Sequence, residues 1–334
     1  MNDTTTLLLL ATSNGLVVCE LLSGEWREVR RGLTGELVTS VIAREGVILA
    51  GTRRGVFRSD DLGRSWQPAS TGLETQIIRW LAYHPDTSDF EFAGTEPAGI
   101  FISHNGAETW RACGEVAHLR QEHGWFLPYS PEAGCVRGLA FQGRRAYAAV
   151  EVGGVLCSED SGETWRLAAG SSGNPADMSG PAQGFVHPDV HSIDVHPSSP
   201  DLVYAPTGGG FYRSRDGGVA WECVYDCYCR AAWIDPLDPE RIILGPADGV
   251  DHNGRIEITQ DGGRSWQTAS RGLETPWRRH MVERFYQASD ELLAVLSNGE
   301  LLSASLANLG WRRTLPEAGG IHAVTTLSVR LIED

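Results

Sequence analysis

The stretch GVLCSEDSGETW, residues 154–165, decides the fold of this chain. A short apolar run leads into Ser-Glu-Asp-Ser-Gly, and a Thr-Trp pair closes the segment. Asp and Ser side chains bond neighbouring backbone groups in tight turns, and Gly supplies the positive φ that such a turn requires. The tryptophan supplies apolar surface for packing between sheets. The segment therefore predicts a strand, a tight turn and the start of a second strand.

Seven copies of this segment are spread along the chain. Close copies occupy 55–66, 210–221 and 255–266, Asn105 and Ala107 alter the copy at 99–110, and the copies at 15–26 and 299–311 are degenerate. The spacings between successive repeat tryptophans are 40, 44, 55, 56, 45 and 45 residues, close to the period of a propeller blade. These tryptophans are Trp26, Trp66, Trp110, Trp165, Trp221, Trp266 and Trp311.

Two further strands precede each full copy. VILAGTRRG (47–55) is typical of the nearer one and CRAAWIDP (229–236) of the farther one. Alternating, β-branched and apolar residues favour strands over helices. Each unit therefore reads as strands A, B, C and D, with the box turn between C and D. The chain begins at a strand B, and GGIHAVTTLSVRL (319–331) can supply the missing strand A.

This pattern predicts an all-β fold. We expect a seven-bladed β-propeller with four-stranded antiparallel blades, forming a single domain over 1–334. The ring is expected to close by the C-terminal strand pairing into the first, N-terminal blade, because closure removes two exposed sheet edges.

Charge and composition exclude some classes of function. The formal net charge is −15 and the pI is near 5.1, so we expect no nucleic-acid partner and no docking on anionic membranes. The N-terminus lacks a basic region and a long apolar run, which predicts a cytoplasmic protein. Seven cysteines at irregular spacing are expected to be free thiols in that compartment.

The segment 158–165 follows the pattern S-x-D-x-G-x-T-W. With its copies it resembles the repeats of the Asp-box (BNR) propellers, a WD40/YVTN/BNR-like group that includes the sialidases, over nearly the whole chain. The resemblance implies that the box is structural. For sialidases it further implies three arginines around a ligand carboxylate, a Tyr nucleophile activated by a Glu, and an Asp acid/base. The early R-I-P signature of sialidases is absent here.

Long insertions at 112–136, 168–190 and 246–254 fall on the face of the B–C and D–A loops, where function is expected. Aligning the start of each strand A predicts a ring of residues at the channel mouth. Its members are Ser40, Arg79, Arg137, His191, Arg230, His280 and His322. Except for Ser40, these are the ligand-binding candidates.

Such a ring of cations needs an anion or acidic neighbours. Two interpretations stay open: a site for a carboxylate, phosphate or glycan, since Arg forks suit oxyanions, or ion pairs between blades. The acidic neighbours considered are Glu96, Glu151, Asp248 and Asp251.

The segment His187-Pro-Asp189-Val-His191 is a second constellation. Residues at i, i+2 and i+4 of a strand share a face, so His187, Asp189 and His191 are candidate ligands of a divalent metal, the one cofactor considered. Their spacing of roughly 7 Å in an extended chain opposes binding of one ion unless the chain bends.

Four functions remain open, and whether the protein is an enzyme is undecided. The first is binding of a small anionic molecule or glycan. The second is an exo-acting glycoside hydrolase, with Glu151 and Asp189 as catalytic candidates. The third is a metal-dependent enzyme, and the fourth is an assembly scaffold for an acidic protein partner. Tyrosines available to the hydrolase hypothesis are Tyr129, Tyr225, Tyr228 and Tyr286.

Overall fold

A computed structural model describes residues 4–127 and 134–330, which form seven four-stranded antiparallel sheets arranged as the blades of a propeller. The fold class predicted from the repeat is therefore confirmed. The first blade has the strand order β28 (Ile321–Arg330), β1 (Thr4–Thr12), β2 (Gly15–Leu22) and β3 (Glu25–Gly32), so the C-terminal strand is its innermost strand. β28 pairs with β1 from Thr4↔Arg330 to Thr12↔Ile321 and closes the ring as expected.

The strands are described by their position in a blade, from the channel outwards. The innermost strands are β4 (Val38–Arg44), β8 (Ile77–Tyr83), β12 (Cys135–Gln142), β16 (Asp194–Val195), β20 (Tyr228–Asp235), β24 (Val282–Ala288) and β28 (Ile321–Arg330). The second strands are β1 (Thr4–Thr12), β5 (Val47–Thr52), β9 (Glu91–Glu96), β13 (Arg145–Glu151), β17 (Val203–Thr207), β21 (Asp238–Ala247) and β25 (Glu291–Leu296).

The outer half of each blade is shorter in most cases. The third strands are β2 (Gly15–Leu22), β6 (Gly55–Ser59), β10 (Ile100–Ser103), β14 (Gly154–Ser158), β18 (Gly210–Ser214), β22 (Glu257–Thr259) and β26 (Leu301–Ser305). The outermost strands are β3 (Glu25–Gly32), β7 (Gln67–Pro68), β11 (Arg111–Ala112), β15 (Arg166–Leu167), β19 (Glu222–Tyr225), β23 (Gln267–Thr268) and β27 (Arg312–Thr314).

Apolar cores lie between every pair of adjacent blades, including the seventh and the first. Each of these cores contains or contacts one repeat tryptophan. Trp165, for example, packs with Phe92 and Ile100 of blade 3 and Leu156 of blade 4. The tryptophan of each unit therefore joins its own blade to the preceding one.

The box turns of blades 2 to 6 share one hydrogen-bond pattern. In blade 4 the Thr164 N–H and hydroxyl donate to the Asp160 carboxylate at 2.9 and 2.6 Å, while the Gly162 N–H donates to Ser158 Oγ at 2.9 Å. The hydroxyl of Ser158 donates to Asp160 at 2.7 Å. The box side chains thus serve the turn, as the sequence predicts.

Two of the insertions contain short helices: α1 (Gly114–His123) follows β11, and a 3-10 helix (Pro175–Ser179) follows β15. No helix within 4–127 or 134–330 has the length and apolar character to cross a membrane.

Candidate functional site at the channel mouth

Every innermost strand carries one extra residue near its start. In six blades the residue-by-residue pairing with the second strand passes over one or two positions of the innermost strand. In blade 5 the inner segment advances four residues, from Val190 to Asp194, while the second strand advances three, from Thr207 to Tyr204. A β-bulge of this kind re-aims a side chain. The bulge positions are His322, Thr39, Arg79, Arg137, His191, Arg230 and Glu283, in blade order from 1 to 7.

These residues, called the hub ring below, match the sequence alignment in five blades. In blade 2 the bulge is at Thr39, and the predicted Ser40 is instead buried and accepts a hydrogen bond from the Leu81 N–H. In blade 7 the position belongs to Glu283. The predicted His280 lies in the loop before β24 and stacks on Trp277 at 5.0 Å; it lines neither of the two channel cavities described below.

The hub ring separates two cavities of the central channel. The outer cavity, about 580 Å³, lies at the strand starts, and the inner cavity, about 250 Å³, lies farther along the innermost strands. Four charged residues line both and form the layer between them: Arg137, Arg230, Glu283 and Arg284.

Ion pairs cross the channel within this layer. Glu283 of blade 7 contacts Arg137 of blade 4 at 3.3 Å and also pairs with Arg230 of blade 6. Arg137 has a second partner, Glu151, at 3.2 Å. Burial opposes ionisation of Glu283, but Arg230 and Arg137 outweigh it and lower the pKa of that carboxyl. The ion-pair interpretation therefore holds for these arginines.

The acidic partners match the expected set only in part. Glu96 and Glu151 do pair, with Arg79 at 3.5 Å and with Arg137, whereas Asp248 pairs with Arg255 outside the channel. Sequence reasoning missed Glu283 because blade 7 lacks the Pro or Gly landmark that ends strand A elsewhere. Its signal is the charged pair Glu283-Arg284 within an otherwise strand-like run.

Arg284 is the arginine of this layer without a carboxylate partner. Among the described residues it makes no hydrogen bond or ion pair, and its guanidinium lies over the ring of Trp80, across the channel, at 4.3 Å. Burial, reinforced by Arg137, lowers the pKa of Arg284 to about 9. The guanidinium is still charged at neutral pH.

His322 lies beside these cations and bonds Ser13 Oγ through Nε2 at 3.0 Å. Burial and the charge of Arg284 lower the pKa of His322. This residue therefore offers a neutral imidazole to the outer cavity at pH 7.

The catalytic candidates Glu151 and Asp189 lie together. Burial opposes the ionisation of Glu151, but Arg137 and His191 outweigh it and hold its pKa at about 2. Burial likewise opposes ionisation of Asp189, and His191 outweighs it and lowers the pKa. Both carboxyls are therefore charged at neutral pH and hold no proton for a leaving group.

The tyrosine candidates are scattered. Tyr228 lies at the hub, where its hydroxyl accepts from Arg230 Nε at 3.2 Å, and burial raises its pKa to about 12. Tyr225 contacts Arg255 and Tyr286 contacts Thr326. Tyr129 lies outside the described residues.

His187, the first of the metal candidates, has both ring nitrogens bonded to backbone groups. Its Nε2 lies 3.1 Å from the Met178 carbonyl, and its Nδ1 accepts from the Asp189 N–H at 3.2 Å. Asp189 and His191 instead gather with Glu151, and one ligand atom of each lies within 4.8 Å of the others.

Fold and site together define a seven-bladed propeller with a charged, partly ion-paired hub. No protein-family model matches the chain. A xyloglucanase of Hypocrea jecorina is 24% identical over 244 residues, 60% of this chain and 27% of the relative. An oligoxyloglucan-reducing end-specific xyloglucanase of Emericella nidulans is 25% identical over 240 residues, 59% of this chain and 27% of the relative. The chain thus spans about a quarter of the length of these curated relatives.

Solved structures show the same fold. The GH74 xyloglucanase of Xanthomonas campestris superposes with a TM-score of 0.62 at 18% identity, covering 87% of this chain and 47% of that one. YCF48 bound to a D1 peptide gives 0.59 at 13% identity, covering 91% of each chain. The chain is therefore a propeller similar to those of glycoside hydrolases.

Proposed function

We propose that this protein binds a small anionic ligand of sugar size in the outer cavity. The observation that carries the proposal is Arg284, a charged guanidinium enclosed by the channel with no carboxylate partner in the described chain. An unpaired buried charge is costly, and an anion would offset that cost.

The lining of the outer cavity has an excess of positive charge, which also favours an anionic ligand. It contains five arginines (Arg53, Arg79, Arg137, Arg230 and Arg284) against three glutamates (Glu96, Glu151 and Glu283). Arg79 makes no hydrogen bond in the part of the chain that the structure describes, and its contact with Glu96 is long at 3.5 Å. Its guanidinium can therefore turn to a ligand oxyanion beside Arg284.

The volume of the outer cavity and the similarity of the chain to carbohydrate-degrading enzymes favour a carbohydrate ligand. A cavity of about 580 Å³ lies within the range of about 300–1,000 Å³ typical of small-molecule sites. The curated relatives are named as xyloglucanases, and the solved GH74 xyloglucanase of Xanthomonas campestris has the same fold. We infer a ligand that carries a carboxylate or a phosphate on a sugar-sized frame. Membership of the Asp-box family and a cytoplasmic location remain predictions.

The test is calorimetric titration with glucuronate, glucose 6-phosphate and neutral glucose. We expect one of the two anions to bind and glucose not to bind. Arg284→Met should weaken binding about tenfold or more, since a hydrogen bond to a charged group is worth about 1.5–3 kcal/mol. The control is Arg313→Met, which removes an exposed arginine of the same blade. Equal affinity in Arg284→Met and the wild type would refute the proposal.

Glycoside hydrolysis is the second candidate, favoured by the names of the relatives and by the closeness of Glu151 and Asp189. Against it, a general acid needs a raised pKa, and both carboxyls have lowered values. Turnover of aryl glycosides by the purified protein would establish this candidate. The scaffold hypothesis rests on the fold likeness to YCF48 alone.

A further inference from the structure

We propose that Glu151, Asp189 and His191 form a binding site for one divalent transition-metal ion. The three side chains come from the end of β13 and from the segment ahead of β16, and one ligand atom of each lies within 4.8 Å of the other two. The proposal stands on these three residues and does not depend on the anionic ligand.

His191 is the observation that points to a ligand. Its side chain is 1% exposed, and neither ring nitrogen has a hydrogen-bond partner in the described chain. Nε2 lies 3.3 Å from Asp189 Oδ2, in poor geometry for a hydrogen bond. Buried polar atoms are nearly always satisfied. A metal ion bound to one imidazole nitrogen and to the Asp189 carboxylate would give that nitrogen a partner.

The backbone around these side chains is fixed. The N–H groups of Gly153 and Gly154 donate to the Pro188 carbonyl at 3.1 and 2.8 Å. These bonds tie the turn after Glu151 to the segment of Asp189. On the other side, the Gly208 N–H donates to the Asp189 carbonyl at 2.9 Å. The site therefore has little backbone entropy to lose when an ion binds.

A glycine makes room for the carboxylate. A Cβ at position 208 would lie 2.2 Å from Asp189 Oδ2, a collision with the proposed ligand atom. The turn Gly208-Gly209 thus lets the carboxylate sit against bare backbone and face Glu151 and His191.

The charges on this side of the hub also call for a cation. Asp189 pairs with no arginine among the described residues, and its ion-pair contact is with His191. The described hydrogen bonds to Glu151, from Cys135 and Arg137, both fall on Oε2 at 3.1 and 3.2 Å. Oε1 is left to coordinate an ion.

The ligand set defines the class of metal. One imidazole with two carboxylates suits Mn²⁺, Fe²⁺ or Zn²⁺. Metal–ligand bonds of about 2.1 Å place the ligand atoms about 3–4 Å apart. Rotation of the carboxylates that moves their oxygens by about 1 Å would therefore complete the site. Three protein ligands leave positions open for water. His187 takes no part, although it belongs to the sequence-predicted trio, because it is held by Met178 and the Asp189 backbone.

The experiment starts from protein dialysed against a chelator and titrated calorimetrically with Mn²⁺ and with Zn²⁺ at pH 7. We expect one ion per chain for at least one of the two metals. Asp189→Asn should weaken binding at least tenfold. The matched control Asp248→Asn, which removes a carboxylate of a neighbouring loop paired with Arg255, should bind like the wild type.

A second measurement tests the site in the wild-type protein as well, in case Asp189→Asn fails to fold. Electron spin-echo of Mn²⁺ bound to the wild type should show coupling to an imidazole nitrogen, and this signal should vanish in His191→Gln. The proposal would be overturned if neither metal bound stoichiometrically, or if the wild type and Asp189→Asn bound the metal with equal affinity. A bound Mn²⁺ without nitrogen coupling would also overturn it.

Discussion

The box turns and the hub ring both recur sevenfold, yet they are built on opposite principles. In the box turns of blades 2, 4, 5 and 6 an Asp accepts the same backbone hydrogen bonds. At the hub the backbone bulge is repeated while the residue changes from blade to blade, among Thr, Arg, His and Glu. Repetition of a side chain therefore marks the fold, and variation on a repeated backbone marks the site.

The largest effect is expected from a repeat tryptophan. Trp165→Ala removes a side chain that is 4% exposed and packs between blades 3 and 4. It should lower the free energy of unfolding by about 3–5 kcal/mol, the usual cost of truncating a buried aromatic side chain. Urea unfolding followed by circular dichroism measures this.

The degenerate first copy supplies the control for that change. Trp26 is only partly buried, so Trp26→Ala should cost clearly less. Equal costs at the two positions would mean that burial of the repeat tryptophan does not decide how tightly each pair of blades is joined.

A hub variant is expected to come next in size. Glu283→Gln leaves Arg137 and Arg230 without their shared carboxylate. The expected loss is about 2–4 kcal/mol, because removing one partner of a buried pair costs about 3–5 kcal/mol and the Glu283 side chain is 18% exposed, which reduces that cost.

Its control is Glu300→Gln, which breaks the exposed pair with Arg313 and should cost at most about 0.5 kcal/mol. Should both substitutions cost the same in urea unfolding, the hub pairs would be no more than surface ion pairs.

Much of this contrast was predictable from the sequence. Seven tryptophan-anchored units fix the number of blades, and the unpaired strands at the two ends predict the closure. Five of the seven hub positions also follow from the alignment, including Arg79, Arg137 and Arg230. These succeed because each blade repeats the same pairing between strands A and B.

The failures have a physical cause in the bulge. An extra residue changes which side chains face the channel beyond it, and alternation along a strand cannot reveal where the extra residue is. For this reason Ser40 was predicted where Thr39 lies, and Arg284 was not foreseen beside Glu283. The contact between Arg284 and Trp80 joins blades 7 and 3, which no local pattern encodes.

The smallest effect concerns pH and separates the two regions by sign. It ranks last because Asp194 is exposed to the channel, where solvent screens its charge. Asp194 lines the inner cavity, where its side chain is exposed to the channel while the innermost strands surround it, and this enclosure by protein raises its pKa to about 7. The unfolded value is about 3.9. Between these values the folded protein keeps a proton that the unfolded chain releases, so the stability associated with Asp194 falls as pH rises from about 4 to about 7. Asp194→Asn should remove this slope.

Asp160 of the box turn gives the opposite case. Although burial opposes it, hydrogen bonds from Thr164 and Ser158 lower its pKa, so its contribution is present above about pH 4 and is lost as pH falls below that value. Asp160→Asn should therefore leave the slope between pH 4 and 7 intact while flattening the acid limb. Urea midpoints measured from pH 3 to 8 test both variants. If the plots of urea midpoint against pH ran parallel for Asp194→Asn and the wild type across pH 4–7, the inner cavity would solvate Asp194 like bulk water. The channel would then lack the low-polarity enclosure that distinguishes it from the box turns.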